Sequence, residues 1–400
     1  MKRLTQLDGL RGIAALIVVL FHLSLIAQPF LDTNSTGDAW WWMSETPLRL
    51  ATDGTQAVLL FFVLSGLVVA LPALRQGFSW KKYFASRFLR LYIPAWGALA
   101  VAAVLIFFIP RVANNVTPNH WLDSANAKSI QPLTLLADAT LMKVGNAEDN
   151  VLWSLRWEII FSLLLPLFVL AAVLIRRSWM AFALAMAGCV ALTIGHPNHA
   201  NATFYLPIFL MGTLMASRLE AIQEWSKRRS RPFWIVVLAI SLLFMIASRI
   251  FQFGASAYSL TGGLLWSVVG VGATGIILCA IGFEPLARFL NRRPNQFLGR
   301  ISFSLYLIHV PIFATLAYAL GDAQWWLVGI IGLPLSLAAA TVFRRFVELP
   351  SLRLAHRLGA RAARPKVASV STFPSADPIE RASQFGYPHG AALLHYAAMR

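Results

Sequence analysis

The chain has 400 residues, with 34 Lys and Arg against 17 Asp and Glu for a net charge of +17; it is 58% hydrophobic and only 13% charged. A soluble domain is nearer ~45–50% apolar and ~25% charged, so a soluble globule of this length is excluded, as are a disordered chain and a collagen-like one. The two cysteines, Cys189 and Cys279, both sit in apolar runs, which excludes a disulfide framework and a zinc ribbon.

The apolar residues suffice for about ten crossings at ~20 residues each. In chain order the predicted spans are 10–30, 55–74, 91–110, 152–175, 179–195, 203–217, 233–251, 261–283, 301–320 and 325–346, the fifth and sixth being short. The loops orient them. With the N-terminus in the cytoplasm, 28 of the 34 Lys and Arg fall on inside segments. Arg49, Arg111, Lys128, Lys143 and Arg249 are the five outside, and Arg156 lies within a helix. This alternation is the positive-inside pattern, and shifting any one span would scramble it. The sequence therefore predicts an all-α integral membrane protein, a bundle of about ten transmembrane helices with both termini cytoplasmic, in the inner (cytoplasmic) membrane. The basic excess belongs to its inner face, with no nucleic acid as partner. Trp40 to Trp42, Trp121, Trp153 and Trp325–Trp326 fall near the outer boundary, as an aromatic belt in contact with membrane lipid would.

The start, Met1-Lys2-Arg3 followed by an apolar stretch, is similar to a secretory signal peptide. No small-x-small site follows it and nine further spans do, so it reads as a retained first helix. Residues 1–352 form the transmembrane domain, and 353–400, rich in Ala, Arg, Ser and Pro, form a disordered cytoplasmic tail. The longest outside connections, 31–54 and 111–151, are too short for an added enzymatic domain, and no inverted repeat is visible.

Ionisable groups inside a membrane are costly and therefore informative. His22 of the first helix follows Arg11 by eleven residues, three turns plus about 20°, so both project from one face ~16 Å apart. Ser65-Gly66 lies at mid-depth in the second helix. The fourth helix enters from outside with Trp153-Ser154-Leu155-Arg156-Trp157-Glu158, and Ser154 and Glu158 share a face at i, i+4. The ninth places Ser302, Tyr306 and His309 on one stripe, His309 ~13 Å in from Arg300. Two histidines, a carboxylate and a serine from four helices thus converge on one depth. Each also has a structural reading. A lone His can bridge helices, Glu158 can pair with Arg156, Ser65-Gly66 can serve close helix packing, and Arg87 and Arg90 can be membrane anchors. His196 and His199, with no carboxylate beside them, read as a solvated loop, and no metal site is expected.

These residues carry a resemblance to the acyltransferase-3 family of integral-membrane O-acyltransferases. The matching runs are Leu7-Asp8-Gly9-Leu10-Arg11-Gly12-Ile13-Ala14-Ala15 through His22, Phe61-Phe62-Val63-Leu64-Ser65-Gly66, Arg87 to Arg90, Trp153-Ser154-Leu155 with Glu158, and Ser302 to His309. Glu348-Leu349-Pro350 closes the match, which covers about 4–352. Phe303 stands where the family often has Tyr, and no esterase-like extracellular domain is expected at the C-terminus, which leaves the acceptor open. The resemblance implies transfer of an acyl group, usually acetyl, from cytoplasmic acyl-CoA to a hydroxyl of a saccharide or glycosylated acceptor. It implies His22, Glu158 and His309 as catalytic and Asp8, Ser65, Trp153, Ser154, Ser302 and Tyr306 as positioning or substrate residues. Arg11, Arg87 and Arg90 suit the CoA phosphates, which favour guanidinium forks, the last two on a short interfacial helix. His22 can act as general base or as nucleophile. The alternative function is a transporter or flippase with a proton-coupled midplane site, which the lack of repeats and the inner Arg pair disfavour.

Overall fold

A computed structural model of the chain describes residues 4–109, 111, 115–142, 149–195, 201–251 and 259–363. The described residues up to Ala362 form one compact unit. Among the described residues there is no strand. Sixteen α-helices follow in order. The first eight are α1 (Thr5–Leu31), α2 (Ala39–Ser44), α3 (Gly54–Ala73), α4 (Trp80–Phe108), α5 (Trp121–Ser124), α6 (Pro132–Ala139), α7 (Trp153–Ile175) and α8 (Trp179–Leu192). The rest are α9 (Ala202–Ser217), α10 (Leu219–Lys227), α11 (Arg231–Ile250), α12 (Leu260–Gly282), α13 (Glu284–Leu290), α14 (Arg293–Leu320), α15 (Trp325–Phe343) and α16 (Leu349–Ala363).

Every predicted span lies on a helix. Among the described residues eight helices are long and apolar enough to cross a membrane, so this is a multi-pass membrane protein. The sixth span departs from a straight crossing, because α9 and α10 meet at a 70° bend. The fifth, α8, has 14 residues; it is ~21 Å long, less than the ~30 Å hydrocarbon core. The last span runs on through a π-helical turn, Arg344–Glu348, into α16. Residues 353–363, assigned to the tail from sequence, are therefore helical; those from 364 lie outside the described residues.

Helices also begin before their apolar runs. Ser79 caps α4 by accepting from the Lys82 N–H, and this sets the start eleven residues ahead of the predicted span at 91. Arg87 and Arg90 therefore ride on the spanning helix itself, not on a separate interfacial one. Pro294 opens α14 in the first turn, where its missing N–H costs nothing.

In lipid the hydrophobic effect does not hold helices together; close packing does. α14 is the central element, with 78% of its apolar window buried, and it lies along α1. Gly9, Gly12 and Gly299 make that crossing. A Cβ on Gly299 would strike the Asp8 carbonyl, and one on Gly12 the backbone of Gly299. The second tight crossing joins α3 to α9 through Gly66 and Gly212. A separate contact between α1 and α3 links the two crossings, so α1 lies between α3 and α14, with α7 and α4 closing the ring.

Candidate active site

α1 is unbroken, so Arg11 and His22 stand on one helix as the spacing requires. His22 meets His309 of α14, with His22 Nδ1 3.0 Å from His309 Nε2. Each ring also folds back on its own helix. His22 Nδ1 lies 2.9 Å from the Val18 carbonyl oxygen, and His309 Nδ1 lies 2.9 Å from that of Leu305. A carbonyl only accepts, so each Nδ1 carries the proton. His309 Nε2 is then an acceptor for the His22 Nδ1–H, which it shares with Val18. Two neutral rings satisfy every contact and leave His22 Nε2 with a free lone pair. Both rings are buried, and of the pair only His22, 8% exposed against 0% for His309, retains any accessible surface.

One turn before His309, the Tyr306 hydroxyl lies 2.7 Å from Ser154 Oγ and donates to the Val151 carbonyl at 3.1 Å. Ser154 also reaches that carbonyl at 3.1 Å, so α7 and α14 are latched together by three groups. Asp149, just ahead of the α7 span, is fully buried. Burial holds its carboxyl well above the usual carboxylate range, and Asp138 beside it adds to the effect.

A third cluster lies towards the basic end. Arg87 donates to Ser162 Oγ at 3.0 Å and to Ser65 Oγ at 3.3 Å, and its Nη2 is 3.6 Å from Glu158 Oε2. Ser162 in turn donates to the Glu158 carbonyl at 2.6 Å. Glu158 is therefore the partner of Arg87. The sequence had offered Arg156 for that role, but Arg156 places its guanidinium over the Trp157 ring at 5.2 Å. Nor does Glu158 orient His22, whose ring partner is His309.

Two cavities share a wall made by Arg11, Phe61, Glu158 and Phe303. One, of about 410 Å³, extends to Ser154, Ser302 and Tyr306. The other, of about 500 Å³, extends to Ser65, Arg87 and Arg90. Arg11, Ser65, Arg87, Arg90, Ser154, Glu158, Ser302 and Tyr306 thus divide between two linked chambers, while His22 and His309 line neither and stand behind Tyr306, whose ring centroid is 6.2 Å from that of His309. Asp8 and Trp153 also line neither. Asp8 sits in the first turn of α1 at its crossing with α14, where a carboxylate suits the helix N-terminus. Trp153 packs with Phe62 and Tyr205 in an aromatic cluster. His196 and His199 lie outside the described residues. Among those described, no three His, Cys, Asp or Glu are grouped to hold a metal ion.

Sequence reasoning missed three participants. Trp121, assigned to the outer belt, sits with its ring centroid 5.1 Å from that of His22. A Trp in a connection has no periodicity to betray such a contact. Ser162 was legible, being four residues after Glu158 on the same face. Ser304 donates to Glu348 at 2.5 Å, tying α14 to the π-helical turn. Extra backbone turns of this kind often mark functional sites.

A family model described as an acyltransferase domain matches residues 4–345. The chain is 27% identical to the O-acetyltransferase PaAT-1 of Phomopsis amygdali, over 81% of this chain and 75% of that protein. It is 25% identical to the acyltransferase MdmB of Streptomyces mycarofaciens, over 89% of this chain and 93% of that one. It is 24% identical to the peptidoglycan O-acetyltransferase OatA of Listeria monocytogenes, over 87% of this chain. The chain spans 56% of the length of OatA. No solved structure matches it significantly.

Proposed function

The chain belongs to the acyltransferase-3 family, and on that premise we propose that it moves an acyl group, in the first instance acetyl, from cytoplasmic acyl-CoA to a hydroxyl of a saccharide or glycosylated acceptor. The observation that carries this reading is the His22–His309 pair, which engages His22 through Nδ1 and leaves its Nε2 lone pair unused. Tyr306, which lines the first chamber, lies next to that pair, with its ring centroid 6.2 Å from that of His309.

In this reading Arg90 and Arg11 grip the phosphates of the donor from the basic chamber. Arg87, already tied to Ser65, Ser162 and Glu158, builds the wall and adds charge. The thin pantetheine arm passes Phe61 and Phe303 towards His22. His22 Nε2 takes the proton of the acceptor hydroxyl as the oxygen attacks the thioester carbonyl. The C–S bond breaks, the leaving thiolate takes the proton back from His22, and the ester and free CoA depart. His309 accepts from His22 Nδ1–H throughout and so steadies the imidazolium that forms.

Mass spectrometry of envelope glycans and secreted glycosides, from cells with and without the protein, tests the acceptor class. Acylated species should vanish in its absence; unchanged profiles together with no acyl-CoA consumption by the purified protein would reject the reading. The donor assignment has its own check. Arg90 is exposed in the basic chamber and has no hydrogen-bond tie to the helices around it, so Arg90→Ala should raise the KM for acyl-CoA about tenfold or more with kcat largely kept. Arg90→Lys should recover only part of that, because a fork becomes a point charge.

The donor must enter from the cytoplasm, which requires the basic end to face it. In a background lacking Cys189 and Cys279, Ser129→Cys should react with an impermeant maleimide in intact cells, and Ser178→Cys only after permeabilisation. Both positions are exposed. The opposite labelling pattern would invert the orientation.

A further inference from the structure

Outside the site described above, one open cavity of about 1120 Å³ is lined by four arginines, Arg75, Arg176, Arg177 and Arg218, against a single carboxylate, Glu220. They come from three breaks in the helical framework. Arg75 follows the end of α3, Arg176 and Arg177 turn the corner from α7 to α8, and Arg218 stands at the 70° bend between α9 and α10. Cations at helix C-termini are favoured by the backbone dipole, and a basic rim anchors a membrane protein, so the three exposed arginines have an ordinary explanation. Arg218 also stands at a helix C-terminus, that of α9, but unlike the others it is buried. It is only 7% exposed, and its Nε and Nη2 have no hydrogen-bond partner. The flat face of the guanidinium is held on the Trp179 ring at 4.0 Å and lies 5.7 Å from that of Phe182. That stacking fixes the plane and leaves two buried donors unpaired at the wall of a cavity where Glu220 pairs with none of the arginines among the described residues. A buried guanidinium with open donors costs free energy unless an anion completes it.

We propose that this cavity is a binding site for a phosphate-bearing anion, separate from the donor chamber, with Arg218 as its buried anchor and Arg75, Arg176 and Arg177 as its rim. The surroundings favour the phosphodiester of an anionic phospholipid as the source. Trp179, Met180 and Leu184 of α8 are all more than half exposed, an apolar outer face that acyl chains can cover. α8 is also too short to cross the hydrocarbon core, and a bilayer that thins around a short helix draws headgroups towards its end. Basic pockets between helices at such an end recognise anionic headgroups. A soluble phosphate or diphosphate would satisfy the same donors but would leave the apolar face without a role.

The test uses the full-length protein in detergent and in lipid nanodiscs. Native mass spectrometry should show phosphatidylglycerol or cardiolipin retained by the wild type in preference to phosphatidylcholine. Retention should fall about tenfold in Arg218→Gln. Since Arg218→Gln can also loosen the α9–α10 bend, the double change Arg75→Gln, Arg176→Gln, confined to exposed rim residues, should by itself weaken retention severalfold. Inorganic pyrophosphate, added to lipid-free protein, is the second arm. Pyrophosphate binding that these changes abolish, with no preference among lipids, would keep the site and assign it to a soluble anion. Wild-type retention of anionic lipid and pyrophosphate that neither variant alters would overturn the proposal.

Discussion

Replacing His22 by Ala should abolish acyl transfer while the protein still inserts and still binds acyl-CoA. The expectation rests on the proton inventory of the histidine pair. His22 donates through Nδ1 to Val18 and His309, so its Nε2 keeps an unused lone pair for the proposed role of general base. Losing a positioned general base typically removes ~10²–10⁴-fold of rate. His22→Gln, which retains a hydrogen-bonding group but no base, should be as inactive and controls for packing. His309 is a positioning residue. His309→Gln should lower kcat less and should shift the acidic limb of the pH–rate profile, because it changes what His22 Nδ1–H donates to. An inserted His22→Ala protein with full activity would remove the catalytic assignment. Incubation with radiolabelled acetyl-CoA and no acceptor separates direct transfer from an acyl-histidine: label retained on His22 marks the second.

The second large effect concerns architecture. Gly66→Val should eliminate folded protein, read by fluorescence-detected size exclusion in detergent. The added side chain would run into the backbone carbonyl of Phe209, and backbone cannot step aside as a side chain can. Overpacking in a tight interior costs ~1–3 kcal/mol or more, set against a total stability of ~5–15 kcal/mol. Gly188→Ala, with nothing within 4 Å of the added Cβ, should behave as wild type. Ser65→Ala should fold yet weaken the hold on Arg87, since the serine contacts Arg87 while its neighbour packs on α9. A normal elution profile for Gly66→Val would show that the α3–α9 crossing is looser than its backbone contacts indicate.

The apolar runs announced the ten helices that carry the predicted spans, because a membrane demands ~20 apolar residues and tolerates few charges, but not the six short or polar helices between and after them. What they could not announce was geometry set by capping and bending. Ser79 lengthens α4 over a polar stretch that hydropathy leaves outside the span. The bend at Arg218 follows no hydrophobic signal. In the site, Arg11, Ser154, Tyr306 and His309 were legible because helical spacing aligns them. The pairing of Glu158 with Arg87 was not, since it depends on how α4 and α7 cross. Trp121 was the least legible, because its contact with His22 is tertiary and its own segment has no repeat to read.

The position of Trp121 has an evolutionary consequence. A ring borne by a connecting segment packs on His22, the proposed base, whereas the residues proposed to hold the donor all stand on long helices. Connections accept substitution, insertion and deletion far more readily than packed helices. New acceptor preferences can therefore arise in the segment around Trp121 while the donor-handling half of the bundle is inherited intact, so that one scaffold can diversify at its outer opening without relearning its chemistry.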